Sequence, residues 1–376
     1  MKRIAIVLAG LAASSCMTPH MAETPSLEPF SDAIHHWRNV HGSDYAAYRP
    51  DQLREIADNV FLYQRENGGW IENRDPTRIL NAEERAATSA ERAKASASFD
   101  NRNVYSQVAY LLGAHAVLGD AKYRDAALKG LDFILSQQVA SCGGWPHSVP
   151  PTQSYHDKIT IADEVTSGNL RLLRRIAAGK GAYRAVDGAR RSRAAQALAR
   201  GDACVLRLQI RQGGVPTGWA GQYDPVTLLP AKARAFELPS IVSQETVEML
   251  RYLMEIEYPS PEVVAAIEGG VAWLRRSRIA DVRLETVPLP EPVKYPYHTA
   301  TFDRRLVADP GGPGIWARFY DLGDNSVVLA NRDGVRVARY DQIHPERRSG
   351  YSWYGDWPRA LLEREYPAWK VRVGRK

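Results

Sequence analysis

Paired glycines recur along this chain at a long, nearly constant period. Asn67-Gly68-Gly69-Trp70, Cys142-Gly143-Gly144-Trp145 and Gly213-Gly214 with Trp219 place the pairs 75 and then 70 residues apart, counting 68 to 143 and 143 to 213. Two pairs follow helix-like stretches with polar ends, Leu135-Ser136-Gln137-Gln138 and Ile210-Arg211-Gln212, so the glycines are read as helix stops. After each comes irregular chain and then a new helix whose opening carries an acid: Asp100, Asp163 and Glu245.

Apolar spacing near 3.6 marks the helices that follow, in Val104/Val108/Leu111/Leu112, Leu172/Leu173/Ile176 and Val247/Leu250/Leu253/Met254. Second helices are expected near Tyr123 to Gln138, Arg193 to Gln212 and Pro261 to Ser277. One hairpin cannot bury its own apolar stripe, so three in a row predict stacked pairs. The expected fold is mainly α: an (α/α)3 toroid of three helical hairpins, with helix starts lining one rim. Glu84 to Ser98 suits a short helix or a flap beside the first acid. From Pro288 onward Pro, Gly and Asp are dense, and runs such as Val327-Val328-Leu329 and Val335-Arg336-Val337 predict a β-containing, loop-rich C-terminal segment.

With 376 residues, 44% hydrophobic and 24% charged, the chain can bury a large core. Its start reads as an export signal over residues 1–22: Lys2 and Arg3, the apolar run Ile4 to Ala13, then small residues to Cys16. A lipoprotein variant of that signal would end at Cys16 and anchor the protein by lipid. Residues 23–376 are then expected as a single catalytic domain, secreted or periplasmic, or an outer-membrane lipoprotein. Outside the cytoplasm Cys142 and Cys204 are the internal disulfide candidates.

A net charge of +6 favours a polyanionic partner, and export makes nucleic acid the least suited of these. Nine Trp and 18 Tyr against 7 Phe give many rings a polar handle, which suits sugar faces as well as cores. There is no glycine-rich phosphate loop, paired-cysteine zinc site or serine-nucleophile motif. His35-His36 and His147 are read as polar surface or hydrogen-bonded residues. Asp100-Asn101 and Asp163 offer hard oxygens to a cation such as calcium, or serve as ordinary helix caps. Arg234, in the Pro-bounded loop Pro230 to Pro239, reads alone as a surface or Glu237-paired residue. Arg318 and Arg332 sit in aromatic, turn-rich surroundings where guanidinium forks can grip carboxylates.

In order along the chain, Asn67-Gly68-Gly69-Trp70, Gly143-Gly144-Trp145-Pro146, Gln222-Tyr223-Asp224, Ala231 to Ser240, Trp316 to Tyr320, Arg332-Asp333-Gly334 and Glu346 to Tyr351 closely resemble the pectate lyases of polysaccharide lyase family 10. The resemblance runs from about Tyr63 to Trp369. It implies calcium-assisted β-elimination of (1→4)-α-D-galacturonan (pectate), giving 4,5-unsaturated oligogalacturonates. It assigns Asp100 and Asp163 to calcium, Arg234 to proton abstraction, and Arg318 and Arg332 to substrate carboxylates. Asn101, Trp145, Trp219 and Tyr320 are expected to bind substrate, and a monomer is expected.

Arginine stays protonated to about pH 12, so this role needs neighbouring cations, namely calcium, Arg318 and Arg332, to disfavour its charge. Four departures mark the chain. Arg102-Asn103-Val104 follows the Asp-Asn pair where small residues and Thr are usual, and Ile161-Ala162 precedes Asp163 in place of Phe-Asn. Ile71-Glu72 replaces Pro-Lys after Trp70, and His147 replaces Gln. The altered segments leave open a non-catalytic acidic-polysaccharide-binding surface protein, and Asp100 and Asp163 as acid and base leave open a glycoside hydrolase.

Overall fold

The structure, a computed structural model, describes residues 23–374; the expected signal and Cys16 lie outside them. Its helices are α1 (Ser31–His41), α2 (Leu53–Tyr63), α3 (Ala82–Ala90), α4 (Tyr105–Leu118), α5 (Ala121–Ser136), α6 (Val165–Ala178), α7 (Gly188–Leu208), α8 (Ser243–Met254) and α9 (Pro261–Arg276), with shorter ones near the C-terminus. The architecture is helix-rich, of the α/α type. Helices α4/α5, α6/α7 and α8/α9 form three packed hairpins, α4 neighbours α6 and α6 neighbours α8, while α2, α5, α7 and α9 follow one another on the outside. Apolar residues at helical spacing, such as Val108, Leu111, Leu173, Ile176, Leu250 and Leu253, are buried between the rows. Among the described residues no helix is long and apolar enough to cross a membrane.

The recurring Gly-Gly-Trp unit is a joint between successive outer helices. The helices do not stop on the glycines: α2, α5 and α7 are capped by Gln64, Gln137 and Gln209. Gly68 and Gly143 lie beyond, at φ 99° and 118°, where side-chain-bearing residues are strained. A Cβ on Gly68 would stand 2.5 Å from the Lys129 carbonyl oxygen of α5, and one on Gly143 2.7 Å from the Arg200 backbone of α7. Each glycine therefore admits the backbone of the next outer helix.

A glutamine ties the same joint. The side-chain amides of Gln64, Gln138 and Gln209 donate to the carbonyls of Ala126, Ala197 and Ala266 at 2.9, 2.7 and 2.8 Å, one on each following helix. The tryptophans complete it from the other side. The indoles of Trp70, Trp145 and Trp219 donate at 2.8 Å to Val60, Ile134 and Val205, each in the last turns of an outer helix. A fourth copy exists, since Trp316 donates to Leu274 at the end of α9 at 2.6 Å. The disulfide Cys142–Cys204 ties the second joint to α7.

Short two-residue ladders link the loops above the helix starts. Ala97–Ser98 pairs with Ser148–Val149, Ile159–Thr160 with Gln222–Tyr223, and Ile241–Val242 with Phe319–Tyr320. The first member of each ladder immediately precedes an acid of the repeat, so the ladders fix Asp100, Asp163 and Glu245 along one rim. The Glu84 to Ser98 stretch is mostly helical, with a capping box in which Asn81 and Glu84 bond reciprocally at the start of α3. In the C-terminal segment the expected strand region is real but its main element begins earlier. Val282–Lys294 and Thr299–Ala308 form one long antiparallel hairpin, irregular between Pro288 and Val293.

Candidate active site

Asp100, Asn101, Asp163, Arg234 and Arg318, far apart in sequence, line one cavity of about 270 Å³ at the rim. Its floor is built under strain. Asn101, Arg102 and Val104 in one loop, and Asp163 and Glu164 in the next, all have φ between 52° and 69°. Such conformations cost free energy for residues other than glycine, and for β-branched Val104 most of all. Helix packing behind the loops maintains them, and the carboxylates are turned into the cavity.

Asp100 is half-buried and Asp163 is exposed as a residue, yet their carboxyls are enclosed by the cavity walls and close enough to share a proton, with opposed tendencies. Burial works against the Asp100 charge, yet the His147 imidazole, 3.3 Å away, holds its carboxyl below the ordinary range. Burial, then the charge of Asp100, pushes Asp163 well up. Three buried oxygens around the cavity have no hydrogen-bond partner: Asp100 Oδ1, Glu245 Oε2 and Gln222 Oε1. Unsatisfied hard oxygens facing one space are what a calcium ion would satisfy, so the residues fit it. Among the described residues no three His, Cys, Asp or Glu are gathered as a ready-made metal cage. Two carboxylates would therefore need neutral oxygens, or those of a ligand, to complete the shell.

The arginines line the same cavity. Arg318 is partly buried, donates from Nη2 to Glu245 Oε1 at 2.9 Å, lies 5.0 Å from the Tyr351 ring, and leaves its buried Nε unpaired. Arg234 donates through Nε to Glu237 at 2.8 Å, and Tyr351 donates to the same carboxylate at 2.7 Å. Burial lowers the Arg234 pKa, but the bonds and charge of Glu237 outweigh it and raise the value above the ordinary arginine range. The Arg318 charge does lower the Arg234 pKa, as expected, but by less than Glu237 raises it in the unliganded protein.

Arg332 is not in this cavity. It lies on a wider groove of about 1510 Å³ that also reaches Arg234, Arg318 and Tyr351. Glu346 grips its Nε and Nη2 at 3.0 and 2.9 Å, and Tyr297 stacks under it at 4.1 Å.

Three expected substrate contacts are corrected. Trp145 and Trp219 are 0% exposed and Tyr320 2%, so none can meet a sugar. Their polar atoms are spent on helix ends: both indoles as described, and the Tyr320 hydroxyl on the Ser277 carbonyl at 2.6 Å. Two histidines read as polar surface or hydrogen-bonded residues also lie at the site. His147 is beside Asp100, stacked on His156 at 4.6 Å, and His36 of α1 lines the same cavity. Histidine spacing gave no sign of either, because ladder pairing and docking of α1 bring them there.

A rim of strained loops that gathers a carboxylate pair and arginine forks around one cavity suits an acidic ligand. The pectic acid lyase family profile matches residues 64–362, and the chain belongs to that family. Two solved structures share its fold. The family 10 polysaccharide lyase from Cellvibrio cellulosa is 26% identical with a TM-score of 0.71, covering 94% of this chain and 100% of that one. A mutant of the family 10 lyase from the same organism, in complex with trigalacturonic acid, is 26% identical with a TM-score of 0.71, covering 92% of this chain and 99% of that one. No curated protein matches the chain significantly. The chain is a polysaccharide-cleaving lyase of the pectate lyase class.

Proposed function

We propose that the protein cleaves (1→4)-α-D-galacturonan by calcium-assisted β-elimination outside the cytoplasm, on a helical toroid closed by its three hairpins. The observation that carries this reading is the gathering of partnerless carboxylate oxygens and the unpaired Arg318 Nε in residues that line one cavity. A uronate carboxylate would satisfy the Arg318 donor, and a calcium ion shared with that carboxylate would satisfy the acid oxygens.

In this reading Arg318 receives the C6 carboxylate and Arg332 a neighbouring one along the groove. Held by Asp100, Asn101 and Asp163, calcium would neutralise the charge that develops on the C6 carboxylate as C5 loses its proton. Arg234 takes that proton, the C5–H electron pair forms C4=C5, and the C4–O4 bond breaks with its pair leaving on oxygen, which solvent protonates. No water is consumed. The role requires the Arg234–Glu237 pair to part when substrate binds, and alkaline conditions favour it.

The test is polygalacturonate with and without calcium, followed by the ultraviolet absorbance of a conjugated unsaturated uronate. A calcium-dependent rise that Arg234→Ala abolishes is expected. Reducing ends without absorbance would instead show a hydrolase, and binding without either would show a lectin-like protein.

A further inference from the structure

Residues 25–45 lie before the segment that matches the family, yet they form a strap across the head of the site. Phe30 is buried edge-on against Tyr110 of α4 at 5.3 Å. Trp37 is stacked on His41 at 4.0 Å and under Arg78 at 4.2 Å. The third fastening is Arg102, the residue that departs from the usual small side chains after the Asp-Asn pair. Its guanidinium bonds Glu28 at 2.8 Å and Asp32 at 3.2 Å on the strap, and Glu164, next to Asp163, at 2.8 Å. One cation thus joins the strap to both strained loops of the reaction cavity.

The fastening has a consequence for His36. It lines the reaction cavity, the basic groove holding Arg332, and a third space of about 860 Å³ on the other side, lined by Arg102, Glu248 and Arg359. Its ring meets His35 edge-on at 5.5 Å, and among the described residues no hydrogen bond holds it. A polar ring kept at the meeting point of three spaces without a protein partner is placed to meet a ligand.

We propose that the strap is a wall of the substrate cleft, fastened by Arg102, and that His36 is a substrate-binding residue that hydrogen-bonds a galacturonate hydroxyl or carboxylate. This rests on the pectate reading and adds to it a specificity element outside the matched segment. His36 does no chemistry here; it helps hold the chain across the cavity.

Binding of hexagalacturonate is measured by calorimetry in the Arg234→Ala background, with steady-state cleavage in the otherwise native protein. His36→Ala is expected to weaken hexagalacturonate about ten-fold and raise KM in parallel, the loss of one charge-assisted hydrogen bond, with kcat and melting temperature unchanged. The double variant Glu28→Gln/Asp32→Asn, which leaves the metal-side loops intact, is expected to move KM the same way. Unchanged affinity and KM in His36→Ala, or a fall in kcat alone, would overturn the assignment of His36. A loss with His36→Ala but none with the double variant would overturn the fastening by Arg102. If the native protein neither binds nor cleaves polygalacturonate, the pectate reading itself fails, and this inference falls with it.

Discussion

Replacing Glu237 by Gln separates two roles for Arg234. In the free protein Glu237 stabilises the guanidinium charge, so a base at this position works against its own partner. Two unit charges about 4 Å apart interact by about 4 kcal/mol at an effective dielectric near 20 and by about 1 kcal/mol in water. The Arg234 side chain is 50% exposed and that of Glu237 13%, which places the pair between these limits. Taking about 2 kcal/mol, and 1.36 kcal/mol per unit, Gln at 237 lowers the Arg234 pKa by about 1.5 units. Removing the anion favours the neutral form, so at a given pH more of Arg234 is deprotonated. The alkaline-rising limb of kcat/KM, which reports the free enzyme, should therefore move about 1.5 units toward acid. Gln keeps an acceptor for the Tyr351 hydroxyl, so the loop retains that hydrogen bond. The assay is a pH–rate profile at saturating calcium, read by absorbance. An unmoved limb, or one moved to higher pH, would show that Arg234 acts as a cation and would remove it from the role of base.

Three further outcomes follow from the same geometry. Chelation should abolish cleavage by the native protein and added calcium restore it; Asp163→Asn should need at least ten-fold more calcium for half-maximal rate, and an unchanged requirement would exclude Asp163 from the cation site. Trp219→Phe removes the indole donor to Val205 and should lower stability by about 1–3 kcal/mol in denaturant unfolding while leaving KM unchanged; a raised KM would restore Trp219 to substrate binding. Cys142→Ser/Cys204→Ser opens a loop of sequence separation 62 and should cost about 2–4 kcal/mol of stability without changing kcat.

The legible part of this molecule was its period, and what remained hidden was the use to which the period is put. Gly-Gly-Trp announced three hairpins correctly, but a tryptophan that caps a helix carbonyl and one that stacks on a sugar are the same letter. Only burial tells them apart, and burial depends on where the neighbouring outer helix passes. The fourth joint, Gly311-Gly312-Pro313-Gly314-Ile315-Trp316, escaped because the 282–308 hairpin stretches the spacing from 70 to 98 residues, counting 213 to 311. That hairpin was itself masked by Pro288, Pro290 and Pro292, which read as strand breakers. In the structure Pro288 still sits in register with Phe302, and the other two fall in the irregular stretch before Val293, where the ladder needs no donor from them.

The acids show the same division. Asp100, Asp163 and Glu245 stood out as one acid per repeat, and the ladders do bring all three to one cavity. Their partners come from elsewhere: His147 from the strand paired beside Asp100, Arg318 from the loop paired beside Glu245, and His36 from a strap with no place in the repeat. A repeat fixes what each unit contributes alone, whereas the chemistry resides in contacts between units. Glu245 illustrates this most directly. It occupies the third acid position, yet its burial beside Arg318 gives it one oxygen to aim a guanidinium and leaves the other without a partner. Under the proposed reaction the third repeat therefore orients the cation that would meet the substrate's carboxylate, while the first two supply the carboxylates that would hold calcium.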